Sequence, residues 1–194
     1  MTLADCEPEA SDDEARLVAA VARRDAAAFR ALVECQSRAI QALAYRMLGD
    51  RHEAEDVVQE ALLRLWDGAA RWQPRGGGVA GWLRRVATNL CIDRVRRTGR
   101  LSDAAPPEQA DPAPSADALI DEARAAERAR GALQQLPDRQ RAAIVLTYYE
   151  QLSNAAAAEV LGLGIKAFES LLVRARAGLR STLAGVPSNG GEGE

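Results

Sequence analysis

Four prolines, Pro106, Pro107, Pro112 and Pro114, crowd into residues 99–116 among Ala, Asp, Ser and Gln. Proline has no amide proton and a locked φ, so neither a helix nor a central strand runs through such a stretch. It reads as a flexible linker, extended locally by its prolines. The 194-residue chain is thereby divided into two units, each near the lower size at which one apolar core suffices.

Both units read as helical. Alanine is abundant, β-branched runs are absent, and no segment alternates apolar and polar residues with the period of two that a strand requires. From Glu14 to about Leu48 the residues Leu17, Val21, Phe29, Leu32, Val33, Ile40, Leu43 and Ala44 keep helical spacing, with a break near Asp25. Gly49 and Asp50 end that segment, and a second helix is predicted from about His52 to Asp67. Pro74 and the glycines at 76–78 make Ala70 to Gly78 a loop, and a third helix follows over about Val79 to Arg97. Beyond the linker, helices are predicted from Ala118 to Leu136, from Asp138 (opened by Pro137) to Glu150, from Ser153 to Leu161, and from Ile165 to about Leu183. The expectation is an all-α chain with an acidic extension at 1–15, a first domain at 16–97, a linker at 98–117, a second domain at 118–183, and a disordered tail at 184–194.

The net charge of -3 hides a polarised distribution. Residues 1–15 hold six acids and no base, whereas 16–97 hold fifteen arginines against nine acids. A basic body of this kind can contact phosphate whatever the average charge. The acidic start can screen the basic surface in the free chain. Three scattered cysteines (Cys6, Cys35, Cys91) do not make a disulfide framework, and Cys35 and Cys91 are expected as inert buried thiols. One histidine, His52, leaves no zinc set, and no metal or cofactor is expected. No apolar run approaches the roughly 20 residues of a membrane span, and the start lacks the basic-then-apolar pattern of an export signal. A reduced cytoplasmic protein is the default. Paired carboxylates in a pocket, a nucleophile motif and a phosphate loop are also missing, so the chain does not read as an enzyme.

Three segments carry binding chemistry. The helix from His52 places Asp56, Gln59, Glu60 and Leu63 at i, i+3, i+4 and i+7, a polar stripe ending in an apolar residue that suits a partner helix. Val57, Val58, Leu62 and Leu65 give the same helix an ordinary core face. In the helix from Val79, the residues Val79, Leu83, Val86 and Leu90 share one face while Trp82, Arg85, Asn89 and Arg96 gather on another. A tryptophan on a cationic face stacks on an unpaired base, and an asparagine hydrogen-bonds a base edge; a core Trp82 beside solvated arginines fits the spacing too. At the C-terminal end, two helices joined by Gly162-Leu163-Gly164 match helix-turn-helix spacing. The residues Ala157, Val160, Leu161, Leu163, Ile165, Phe168, Leu172 and Ala175 would lock the pair. The second helix would then present Lys166, Glu169, Ser170, Val173, Arg174 and Arg176, with the two arginines able to reach phosphates or guanine edges. A plain helical hairpin with solvated charges has the same spacing.

Together and in this order, these segments resemble the extracytoplasmic-function (ECF) sigma factors of the sigma-70 family. The matching stretches are Asp25 to Phe29, Ala54 to Ala61, Gly81 to Asn89, Asp93 to Arg97, Leu136-Pro137 with Arg139-Gln140-Arg141, and Leu152-Ser153 through Arg176. The resemblance implies two small helical domains, sigma-2 and sigma-4, and a factor that binds core RNA polymerase to start transcription at chosen promoters. It implies that Asp56, Gln59, Glu60 and Leu63 dock on the clamp helices of the polymerase largest subunit. The loop from Trp72 to Ala80, including Arg75, would hold a base flipped from the minus-ten element above Asn89. Trp82 and Arg85 would line the strand-opening surface, with Arg96 and Arg97 on the minus-ten DNA. The helix from Ile165 to Arg176 would read the minus-thirty-five element, and the second domain would also meet the polymerase flap. Base capture by stacking and hydrogen bonding holds an open bubble without ATP. An anti-sigma factor is a further implied partner.

The chain departs from the family pattern at four positions. Glu169 and Leu171 stand where basic residues are usual, Gly164 where a serine commonly caps the recognition helix, and Ala156 where a glutamate would complete a capping box with Ser153. These leave the minus-thirty-five sequence open, including a second domain that binds protein more than promoter. A helical adaptor without promoter activity is the other class that fits.

Overall fold

A computed structural model describes residues 11–73, 77–101 and 117–185. The described residues form helices without a strand: α1 (Ser11–Ala22), α2 (Ala26–Leu48), α3 (Arg51–Gly68), α4 (Gly78–Leu101), α5 (Asp117–Gln134), α6 (Asp138–Ile144), α7 (Asn154–Val160) and α8 (Ile165–Gly185). Residues 1–10, 102–116 and 186–194, and with them Cys6 and most of the extension, linker and tail, lie outside the described residues, as does Arg75.

Local chemistry sets the helix boundaries of the first unit. Between α1 and α2 the chain turns at Arg24, whose φ is 65°, and the Asp25 carboxylate accepts from the amides of Ala27 and Ala28 at 2.8 and 3.2 Å. That satisfies two of the orphan donors at the start of α2. At its other end, Gly49 adopts φ 75° and its N–H closes on Tyr45 O, a left-handed C-cap that glycine takes without strain. Asp50 then caps α3 through the Glu53 amide at 2.8 Å. A short 3-10 turn, Ala69–Arg71, leads out of α3.

The apolar faces of these four helices meet in one core. Val21, Ile40, Leu43, Met47, Val57, Leu65, Val79 and Leu83 are almost wholly removed from water. Full burial of a side chain of this size contributes about 1.5–3 kcal/mol, so packing rather than helix propensity holds α1 to α4 together. Phe29 meets Trp66 edge to face, with centroids 4.9 Å apart.

In the second unit Phe168 is fully buried among Leu161, Leu172, Ala175 and neighbouring aliphatics. Ser153 caps α7 by accepting from Ala156 N at 3.2 Å, so the cap survives without the missing glutamate. Gly178 lets α8 approach closely, since a Cβ there would stand 2.9 Å from Leu136 Cδ2. Two expectations are corrected. The helix expected through Glu150 is α-helical only to Ile144; Val145–Tyr149 form a π-helical turn in which Glu150 N reaches back to Val145 O. The wider turn exposes Tyr148 while Glu150 becomes buried. Ile165, assigned to the locking face, is instead 52% exposed, because at the first position of α8 it precedes the turn that meets α7.

The two units share one continuous core rather than standing apart. The α2 carbonyls that would otherwise lack partners are completed from across the linker. Gln134 Nε2 donates to Arg46 O at 3.1 Å, and Arg141 Nη1 donates to Met47 O. Arg141 also donates to Gln134 Oε1 (2.6 Å), Gln134 O and Leu136 O. Burial lowers the Arg141 pKa, with Asp138 pulling it back up.

Candidate nucleic-acid interface

α4 is fixed by its apolar side: Val79, Leu83, Ala87 and Leu90 are buried and Val86 is half-buried. That rotation decides where its polar residues fall. Asn89, Arg96 and Arg97 are exposed, and Arg85 and Trp82 are partly covered. Trp82 is therefore neither a core residue nor a fully exposed one. With Trp72, Gly77, Gly81 and Arg85 it lines a cleft of about 870 Å³ whose far wall is Glu150, Ser153 and Glu159 of the second unit.

The arginines of α4 are engaged across that boundary, where the sequence suggested cations open to DNA. Arg85 Nη2 donates to the carbonyl oxygen and Oε1 of Glu159 at 2.9 and 3.0 Å. Arg96 Nε lies 2.6 Å from Asp138 Oδ2. Arg84, absent from the predicted site, is buried and pairs with buried Glu150 at 3.4 Å. Burial pushes the Glu150 carboxyl pKa up, and the charges of Arg84 and Arg46 pull it part of the way back. At the start of α4, Glu14 Oε1 accepts from Val79 N at 2.5 Å, which places a carboxylate of the acidic N-terminal region on the helix end where an anion is favoured.

The predicted polymerase stripe lies on α3. Asp56 and Gln59 are exposed and Leu63 is 58% exposed, while Val57, Leu62 and Leu65 face the core. Glu60 is partly held within the chain, 2.6 Å from Arg64 and 3.6 Å from Arg94 of α4. Arg94 also pairs with Glu53 at 3.1 Å, so α3 and α4 are tied together beneath the stripe.

On α8 the residues Lys166, Glu169, Ser170, Val173, Arg174 and Arg176 are all exposed. Leu171 is 7% exposed and belongs to the core, so its departure from a basic residue does not touch the exposed face. Glu169 and Gly164 are the departures that are exposed. Arg176 stacks on the Tyr148 ring at 5.5 Å.

The cysteines divide. Cys91 is a free, buried thiol whose pKa burial pushes up to about 12, which makes it inert. Cys35, also expected as a buried thiol, is only partly covered. Among the described residues no group of His, Cys, Asp or Glu could hold a metal, and no helix is long and apolar enough to cross a membrane.

The pairs that sequence reasoning missed bridge the linker, the α1–α4 contact or the α3–α4 contact. Arg84 reads as an ordinary helix cation, and nothing in the local sequence marks Glu14, Glu150 or Glu159 as its neighbours' partners. Arg141 lies within a matched stretch, and that was its only signal.

The sequence matches two family models, Sigma-70 region 2 over residues 32–101 and Sigma-70, region 4 over residues 126–179. Among curated proteins it is 37% identical over 157 residues to the ECF RNA polymerase sigma factor SigE of Mycolicibacterium smegmatis, covering 79% of this chain and 60% of that protein. It is 32% identical to SigK of Mycolicibacterium vanbaalenii, covering 85% of each. To SigM of Mycobacterium tuberculosis it is 34% identical, covering 88% of this chain and 84% of that one. Among solved structures, CnrH in complex with the cytosolic domain of CnrY matches with a TM-score of 0.63 and 29% identity, over 90% of this chain and 99% of that one. The sigma factor RpoE, bound to the anti-sigma factor NepR from Bartonella quintana, matches with a TM-score of 0.62 and 25% identity, over 82% of this chain and 98% of that one. The chain belongs to the ECF RNA polymerase sigma factors of the sigma-70 family, which direct transcription initiation at promoters.

Proposed function

We propose that this sigma factor docks on core RNA polymerase through α3, opens promoter DNA with α4 and the loop before it, and reads the upstream element with α8. The observation that carries this reading is the arrangement along α4. Trp82 and Arg85 edge a cleft beside the Gly77–Gly81 turn, with Asn89 exposed further along the same helix. An indole, a guanidinium and an amide offer stacking, charge and a base-edge hydrogen bond, which an unpaired base requires. The exposed Leu63 beside Asp56 and Gln59 supports a helix-docking role for α3.

On this reading the chain contributes binding energy and no chemistry of its own; bond making belongs to the polymerase, in the cytoplasm where DNA and polymerase meet. An anti-sigma factor is the expected negative partner, in keeping with the RpoE–NepR complex. The exposed Glu169 carboxylate on α8 favours a second reading, in which the second domain contacts protein, the flap included, more than promoter, because a carboxylate repels phosphate.

Run-off transcription with purified core polymerase and the DNA upstream of the chain's own gene tests the proposal. Promoter-dependent transcripts are expected. No stimulation together with no core binding would leave a helical adaptor as the function. Transcription unchanged by Arg174→Ala with Arg176→Ala would favour the second reading of α8.

A further inference from the structure

The first turn of α4 contains no acid, and Gly77 and Gly78, just ahead of Val79, have no side chain with which to cap it. Both glycines take left-handed backbone, at φ 83° and 55°, so the chain enters the helix through a pivot that residues with a Cβ form only under strain. The missing acceptor comes from α1. Glu14 Oε1 takes the Val79 amide at 2.5 Å from 65 residues away. Leu17, Val18 and Val21 follow Glu14 at i+3, i+4 and i+7, so the carboxylate extends the stripe that packs α1 into the core. An acid is out of place there for packing. It suits a helix start, where orphan amides and the helix dipole favour an anion.

The fit around this contact is close. A Cβ on Gly78 would collide with both carboxylate oxygens of Glu14. Gly77 O accepts from Gly81 N at 2.6 Å, and a Cβ on Gly77 would stand 3.2 Å from Gly81 Cα. These three glycines line the same cleft as Trp72 and Trp82. We propose that Glu14 is a positioning residue for strand opening. From α1 it locks the Gly77–Gly78 pivot, and so the entry to α4 beside Trp72 and Trp82, in the pose that captures a base. The proposal rests on the base-capturing role of that surface. Without the Glu14 acceptor the pivot can turn at both glycines, and each capture would carry the cost of ordering it again.

The test pairs amide exchange in the free full-length chain with promoter opening by its holoenzyme. Glu14→Ala is expected to speed exchange of the Val79 amide about tenfold, read by NMR. In the holoenzyme it should lower permanganate reactivity of thymines in the opened region about fivefold, the scale of one helix cap, with co-elution with core unchanged. On a pre-opened template, discrimination between the preferred base and an abasic site at the captured position should narrow by a similar factor. Glu14→Gln keeps the acceptor oxygen and should recover most of each effect. Asp25→Ala removes a cap of the same kind from α2; it should lower the urea midpoint at least as far as Glu14→Ala does, with opening unchanged. The proposal is overturned if Val79 exchange is the same in Glu14→Ala, or if opening and discrimination hold despite faster exchange. Equal loss of core co-elution, or equal loss of opening in Asp25→Ala, would also overturn it by making Glu14 merely structural. An unaltered chain that supports no transcription fails instead at the sigma reading, and the proposal falls with it.

Discussion

α4 and α8 are both basic helices on small helical scaffolds, yet the fold treats them oppositely. The arginines Arg84, Arg85, Arg94 and Arg96 of α4 meet carboxylates from α3, α6, α7 and the turn after α6. On α8, Lys166, Arg174 and Arg176 face outward, with Arg174 bonded along its own helix to Ser170 O at 3.4 Å and Arg176 resting on Tyr148. Composition alone does not separate the two. What separates them is which elements pack alongside, and for α4 all of those but α3 come from beyond the linker.

The largest expected effect breaks the contact that makes the comparison possible. Arg141→Ala removes the donor shared by Met47 O, Gln134 O and Leu136 O. Leaving such buried carbonyls unpaired costs about 1–3 kcal/mol each, so a loss of at least about 3 kcal/mol is expected in urea denaturation. Next, Asn89→Ala is expected to reduce open-complex formation roughly tenfold, the worth of a base-edge hydrogen bond, with core affinity unchanged. Permanganate footprinting and co-elution with polymerase measure the two; an equal loss of both would make Asn89 structural. Asp56→Arg should weaken co-elution with core by about fivefold to tenfold, the usual cost of a charge mismatch at an interface rim, while oligo(dT) binding by the free chain stays as it was.

The smallest effect is a pH dependence located at Glu150. Burial raises its folded-state pKa, so the folded chain holds this proton to higher pH than the unfolded chain. Its contribution to stability is fully present below the ordinary glutamate value of about 4.3 and is lost as pH rises through the raised value. Urea midpoints across that range should fall more steeply for the unaltered chain than for Glu150→Gln.

Much of the fold was legible in the sequence because its signals are local. Asp25, Gly49, Asp50 and Ser153 each terminate or cap a helix through groups within a few residues, and the apolar spacing of α2 and α4 names their buried faces. Local pattern also placed the polar stripe of α3 and the outward residues of α8. It misplaced Ile165, which is exposed at the first position of α8, and it did not show the π-helical turn that sends Glu150 inward. The covered state of α4 was illegible for the same reason. Arg85 and Glu159 are 74 residues apart, and no periodicity connects positions on either side of a proline-rich tether.

The most direct test of the account compares single-strand binding by the free chain and by its complex with core polymerase, with core alone subtracted and Trp82→Ala as the reference for lost stacking. The account predicts weak binding by the free chain, strong binding in the complex, and a gain that disappears with Trp82→Ala. Equal binding in both states, indifferent to Trp82, would contradict it.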